Sequence, residues 1–189
     1  GIPGETEMIG RGLSYCAICD GPLFQDKGVA VVGGGNTAIS EALSLAKFTA
    51  KVIVIHRRDQ LRADKILQDR AFNEPKIEFI WDTGVEAING QKMVEGLELI
   101  NKKTGQKSTL SVDGVFMAVG VKPNTKYLSQ ILKLGPNGEI PVSNQMETES
   151  HGIFAAGDIR QGSIRQIIAA AGDGAIAGIS AERYLAHPQ

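Results

Sequence analysis

The chain has 189 residues, 42% of them apolar, and a formal net charge of −1. That length fits one large domain or two small ones, and the near-neutral charge offers no broad basic field for nucleic acid. No apolar run reaches membrane-spanning length, and the glycine- and alanine-rich tail is interrupted by Asp173. The chain opens on a loop-like string, GIPGETE, with no starting methionine and no secretory leader pattern, so a piece of a longer protein is expected. Two cysteines are too few for a disulfide framework, and a reducing, cytoplasmic setting is expected.

Val29 to Val32 is a short apolar run ending in glycines, expected as a buried parallel strand. Residues 36 to 49 place Ile39, Leu43, Leu45 and Ala46 on one helical face. Lys51 to Ile55 reads as a second buried strand, closing a βαβ unit with the glycines at its first turn. Residues 64 to 72 are expected to be helical, and KIEFI at 76 to 80 alternates as a third strand. The texture then changes to three short strands, Val85 to Ile88, Leu97 to Ile100 and Thr109 to Val112, with NKKTGQKS at 101 to 108 as a hairpin turn. A β-meander would here replace a helical crossover. DGVFMAVG at 113 to 120 is another buried strand, Pro123 and Asn124 mark a turn, and GIFAAGD at 152 to 158 is a last apolar strand. A long helix is expected over 163 to 185. The fold class is α/β, with a Rossmann-like dinucleotide-binding domain. A boundary near residue 112 divides 1–111 from 112–189, and the second portion has too few strands for a whole domain.

Gly33 to Ala38 reads GGGNTA and fits G-x-G-x-x-A. Gly33 allows the tight turn, Gly35 lets the backbone approach a pyrophosphate, and Ala38 packs the helix on the strand. Asn36 and Thr37 open the helix, whose N–H groups and dipole favour an anion. Following a buried strand, this is a dinucleotide signature. The end of the second strand chooses the dinucleotide. An NAD site would place an acid there for the ribose hydroxyls. This chain places His56, Arg57, Arg58 and Asp59, then Arg62. Arginine forks match phosphate oxygens with paired donors. A solvated basic loop is the alternative, and the position favours NADP(H).

Cys16 and Cys19 are the only cysteines, spaced C-x-x-C at the start of a helical turn and followed by Asp20. The spacing suits thiol–disulfide exchange, and the aspartate could serve as a positioned acid. Two inert buried cysteines are one alternative. Structural zinc is another, but it would want two more ligands, and His56, His151 and His187 lack ligand-like spacing; no metal site is expected. Joining a hydride donor to a dithiol implies a flavin relay.

CAICDG, GGGNTA, HRRDQLRA and GIFAAGD, in this order, resemble the bacterial-type, low-molecular-weight thioredoxin reductases. The resemblance runs from about Gly1 to Tyr184. It implies a homodimeric flavoprotein whose NADPH domain, residues 1–111, is inserted into an FAD domain. Residues 112–189 would be the C-terminal half of that FAD domain. No counterpart of the first FAD glycine motif precedes Gly1, so the FAD site is expected to be incomplete and the chain colourless. By the resemblance, Gly157 belongs to the FAD site and Asp158 would meet the ribityl or phosphate portion of FAD; a helix-capping or turn acid is the alternative for Asp158. Ser163 to Ile167 would open a helix toward the flavin ring, with Arg165, Gln166 and Ile167 near it. Electrons would pass from NADPH through FAD to the Cys16–Cys19 disulfide and on to thioredoxin. Cys19 would be flavin-proximal, Cys16 the exchanging thiol and Asp20 the acid. Ala17-Ile18 departs from the commoner Ala-Thr between the cysteines. The alternatives are a related flavoprotein that reduces another acceptor, of peroxiredoxin type, and an NADPH-binding module without turnover.

Overall fold

The computed structural model describes residues 1–186; residues 187–189, His187 among them, lie outside the described residues. The chain forms two compact units, Gly1–Gly120 and Val121–Gln189. The first begins with a short helix α1 (Glu5–Met8), a two-residue strand β1 (Leu13–Ser14) and a helical turn α2 (Ala17–Asp20). The βαβ unit follows as β2 (Gly28–Val32), α3 (Asn36–Leu45) and β3 (Lys51–Ile55). Helix α4 (Lys65–Phe72) leads to β4 (Ile77–Ile80). The meander is β5 (Thr83–Asn89), β6 (Gly96–Asn101) and β7 (Lys107–Ser111), and β8 (Gly114–Met117) closes the unit.

One sheet is parallel, in the order β1-β8-β2-β3-β4, and the meander forms a separate antiparallel sheet, β5-β6-β7. The Rossmann-like reading and the meander crossover both hold. Side-chain alternation assigns the two faces of the parallel sheet. Val29, Val31, Val52, Val54 and Phe116 join the helix-side cluster with Ala38, Ile39, Ala42 and Leu45. Ala30, Ile53, Ile55 and Val115 join the other cluster, with Ile88, Leu97 and Leu99 of the meander. A sheet covered on both faces explains why its strands read as unbroken apolar runs. Strand β7 reads KSTLS, is largely exposed, and pairs on one side only, as a polar edge strand should. The Lys76 ammonium donates to the carbonyls of Ala46 and Thr49, at 3.0 and 2.8 Å, and so closes the C-terminal end of α3.

Three boundaries differ from the sequence expectation. The division between units falls after Gly120 rather than at 111, because β8 is hydrogen-bonded between β1 and β2. Gly152 to Asp158 is not a strand of a sheet. Phe154 makes one antiparallel bridge with Glu147, and Gly157–Ile159 is a 3-10 turn. A strand needs continuous neighbours for its backbone groups, and the described residues of this unit supply single bridges. The long helix α5 (Ile167–Ala186) starts after Ser163–Gln166, not at them. The second unit has its own small core of Leu132, Ile140 and Ala155.

Candidate nucleotide site and redox disulfide

Strand β2 ends at Val32, and Gly33 turns the chain with φ of 150°. A Cβ there would lie 2.4 Å from the Ala118 carbonyl oxygen and 2.8 Å from the Ala38 Cβ, and a Cβ at Gly34 would lie 2.4 Å from the His56 ring. Both positions exclude any other residue. Gly35 caps α3 in extended conformation, and nothing lies within 4 Å of where its Cβ would be. Asn36 and Thr37 are exposed on the first turn of α3, while Ala38 is fully buried beneath it. The unpaired N–H groups of that turn thus stand beside open space, where an anion is favoured.

The end of β3 supplies the basic side. His56 is only 3% exposed, and its Nε2 is buried without a hydrogen-bond partner. Burial lowers its pKa from 6.5, a hydrogen bond with the Gln60 backbone opposes this, and the charges of Arg62, Arg58 and Arg57 lower it further. A neutral ring therefore supports Gly34 from below. Arg57, Arg58 and Arg62 are exposed, and none of their guanidinium groups has a partner among the described residues. Asp59 does not neutralise them. Its carboxylate pairs with the Lys103 ammonium at 2.9 Å, and Lys103 also meets Asp82 at 3.0 Å. A cavity of about 350 Å³ lies between the two sides, lined by Gly33, Gly34, His56, Arg57, Arg62 and Met117 among others.

Cys16 and Cys19 are joined as a disulfide, with Cα atoms 5.3 Å apart. Cys16 caps α2, and its sulfur accepts the Cys19 N–H at 3.1 Å. Cys19 is exposed and Cys16 half-buried, and Ile18 between them is 77% exposed. Buried Ser14 organises the motif. Its hydroxyl donates to Asp20 Oδ2 at 2.6 Å and accepts the Cys16 N–H at 3.0 Å. Glu41 of α3 accepts the Ala17 N–H from the other side, and burial pushes its carboxyl up to about 7. Its Oε2 is buried without a partner.

In the second unit, Asp158 is exposed and its carboxylate has no partner among the described residues. The N–H of Gly157 donates to Asp173 Oδ2 at 3.2 Å, so it is turned into the unit. Asp173 also pairs with the guanidinium of Arg160 through both carboxylate oxygens. Arg165 and Ile167 are exposed and Gln166 is half-buried. The Gln166 carbonyl accepts the Ala170 N–H at 2.9 Å, which makes it the cap of α5. No group of three or more His, Cys, Asp or Glu able to hold a metal occurs among the described residues. No helix among them is long and apolar enough to cross a membrane.

Residues 1–174 match the family described as pyridine nucleotide-disulphide oxidoreductase. The chain belongs to this family. A thioredoxin reductase of Listeria monocytogenes is 47% identical over 98% of this chain and 58% of its own length. A bifunctional thioredoxin reductase/thioredoxin of Mycobacterium leprae is also 47% identical, over 98% of this chain and 41% of its own. Among solved structures, a thioredoxin reductase from Streptococcus pyogenes superposes with a TM-score of 0.91 at 48% identity, over 98% of this chain and 61% of that one. The chain thus spans between 41% and 61% of the length of these proteins.

Four side chains near the motifs escape the sequence reading. Ser14 left a signal, a serine two positions before the first cysteine. Glu41, Lys103 and Asp173 left none, because each meets its motif only through the fold.

Proposed function

We propose that the chain carries the NADPH site, the redox disulfide and part of the FAD site of a thioredoxin-disulfide reductase. The observation that carries this reading is that one unit holds both the Cys16–Cys19 disulfide and three unpartnered arginines beside a glycine turn. When bound, NADPH and FAD supply a hydride and a two-electron relay to the disulfide.

The residues of the chain do the rest. Gly33, Gly35, Asn36 and Thr37 receive the pyrophosphate, and Arg57, Arg58 and Arg62 receive the 2′-phosphate by charge-assisted hydrogen bonds. His56 holds the turn from beneath, with its unpartnered Nε2 beside the cavity. Gly157, Asp158, Arg165, Gln166 and Ile167 belong to the FAD side. The free carboxylate of Asp158 and the exposed Arg165 fit that role. The inward N–H of Gly157 does not offer a donor, so its part is to shape the turn.

Exchange then runs on sulfur. The Cys16 thiolate attacks one sulfur of the thioredoxin disulfide, and the other sulfur leaves with a proton from Asp20. Cys19, as thiolate, attacks the mixed disulfide, restores Cys16–Cys19 and releases the reduced partner. The Cys19 N–H directed at Cys16 favours negative charge there, which supports Cys16 as the attacking sulfur although Cys19 is the more exposed. The free arginines count against the NADH-using peroxiredoxin-type alternative. A homodimer in a cytoplasmic setting completes the proposal.

The test uses the chain extended by the upstream part of an FAD domain, as in the longer relatives. NADPH oxidation should depend on oxidised thioredoxin and vanish in Cys16→Ser. Arg57→Ala with Arg58→Ala should weaken NADPH far more than NADH. Equal weakening of both nucleotides would remove the assignment of the 2′-phosphate, and flavin reduction without thioredoxin turnover would redirect the search to another acceptor.

A further inference from the structure

The segment from His56 to Asp64 has no helix or strand of its own, yet it must present three arginines to one small phosphate. Long side chains on an unsupported loop would scatter that charge. Besides backbone bonds at His56 and Arg58 and the Gln68 amide bond to the Ala63 carbonyl, three ties hold the segment. Asp59 is paired with Lys103 of the β6–β7 turn. The Arg62 N–H donates to the Gly34 carbonyl at 2.7 Å. The third tie is reciprocal: Asn36 Nδ2 donates to Asp64 Oδ2 at 2.8 Å, and the Asp64 N–H donates to Asn36 Oδ1 at 2.7 Å.

Asp64 stands at the N-cap of α4, where an aspartate ordinarily accepts an N–H of its own helix. It makes no such bond here. Its carboxylate is turned instead to Asn36, at the first position of α3 directly after Gly35. The cap of one helix is thereby fastened to the start of the other, and the arginine segment is closed between them. Arg62 lies two positions from one tie and is itself the donor of another.

We propose that the Asn36–Asp64 clamp is the positioning element that sets the preference for NADPH over NADH, by fixing the arginine segment relative to the glycine turn. This rests on the NADPH reading above. The clamp need not touch the nucleotide. It restricts where the guanidinium groups stand, so its loss should be felt by the 2′-phosphate and hardly by the rest of the ligand. The charge of Asp64 acts in the opposite sense, since a carboxylate near a phosphate repels it. The two effects are separable: Asp64→Asn removes the charge and keeps an oxygen to accept from Asn36, whereas Asp64→Ala removes both and leaves the clamp only its backbone N–H bond to Asn36 Oδ1.

The experiment is calorimetric titration of this chain with 2′,5′-ADP and with 5′-AMP, for wild type, Asp64→Ala and Asp64→Asn, with thermal unfolding of each. Asp64→Ala should weaken 2′,5′-ADP by about tenfold, as expected for the loss of well-aimed charge-assisted bonds, and leave 5′-AMP within about twofold. Asp64→Asn should keep a ratio at least as high as wild type, because it retains the acceptor for Asn36 and loses the repelling charge. A general defect of folding would lower both affinities and the melting temperature together. The proposal is overturned if Asp64→Ala leaves the ratio unchanged, if both ligands weaken equally, or if both variants bind 2′,5′-ADP more tightly. A wild-type chain with no preference for 2′,5′-ADP overturns the NADPH reading and the clamp with it. A wild-type preference that Asp64→Ala leaves undiminished overturns the clamp alone.

Discussion

In the first unit, the apolar residues of β2, β3 and β8 alternate into two clusters, one under the helices and one under the meander. In the second unit, the core gathers around Leu132, Ile140 and Ala155, and the buried residues of its long helix are Asp173 and Ser180. Ile167, Ile168, Ile179 and Leu185 of that helix are more than half exposed. The first unit is therefore held by apolar burial on both faces of a sheet. The second relies more on one ion pair, Arg160 with Asp173, which ties α5 to the turn that presents Asp158. Buried acids show the same contrast. Asp173 has a guanidinium and an N–H, while Glu41 has one N–H and a bare oxygen.

Truncation of the two cores should give the largest difference. Phe116 is fully buried and meets Phe24 edge-to-face at 5.4 Å. Phe116→Ala should cost about 3–5 kcal/mol, and Ile140→Ala, in a core small enough to relax, about 2 kcal/mol. Urea unfolding followed by circular dichroism measures both. Equal losses in a single transition would erase the distinction between the units.

The ion pair sharpens the comparison next. The Arg160 guanidinium holds the Asp173 carboxyl below its usual 3.8, with the Gly157 N–H adding to the effect. A lowered carboxyl contributes stability above its unfolded value, and that contribution is lost as pH falls through the folded one. Acid should thus loosen the second unit through this pair. Arg160→Ala should lower the melting temperature of that unit at neutral pH and make its acid response shallower. An acid response unchanged by the substitution would show that the pair does not hold α5 to the turn.

Strand periodicity, the glycine turn and the meander were legible because each rests on local spacing. Gly33 to Ala38 announces its turn in six consecutive residues, and β2 and β3 announce their burial in their own composition. The Gly152–Asp158 strand was misread for the same reason. Its apolar run is a local property, whereas a strand needs partners that the run does not encode. The division after Gly120 was missed because β8 inserts between β1 and β2, far from it in sequence. Asn36 was read as a residue facing the nucleotide. Its pairing with Asp64 joins positions 28 apart and leaves no periodic trace.

Glu41 gives the smallest and most specific effect. It lies on the same helix that opens with Gly35, and it meets the backbone of the disulfide turn at Ala17. Burial raises its carboxyl from 4.5 to about 7, and the Ala17 N–H opposes that only in part. Between those two values the folded chain keeps a proton that the unfolded chain releases. Stability of the first unit is therefore greatest below the lower value and falls as pH rises through the upper one. This is the opposite direction from Asp173. Glu41→Gln reproduces the protonated shape without the charge, so it should be close to neutral at pH 5 and stabilising at pH 8. Partial exposure screens the charge, and the gain at pH 8 is expected to be about 1 kcal/mol. Denaturant midpoints of wild type and variant across that range decide it. A difference that does not change with pH would mean that Glu41 is ionised in the folded chain throughout, with water reaching its second oxygen. The two units would then bury their acids alike, each with its charge satisfied.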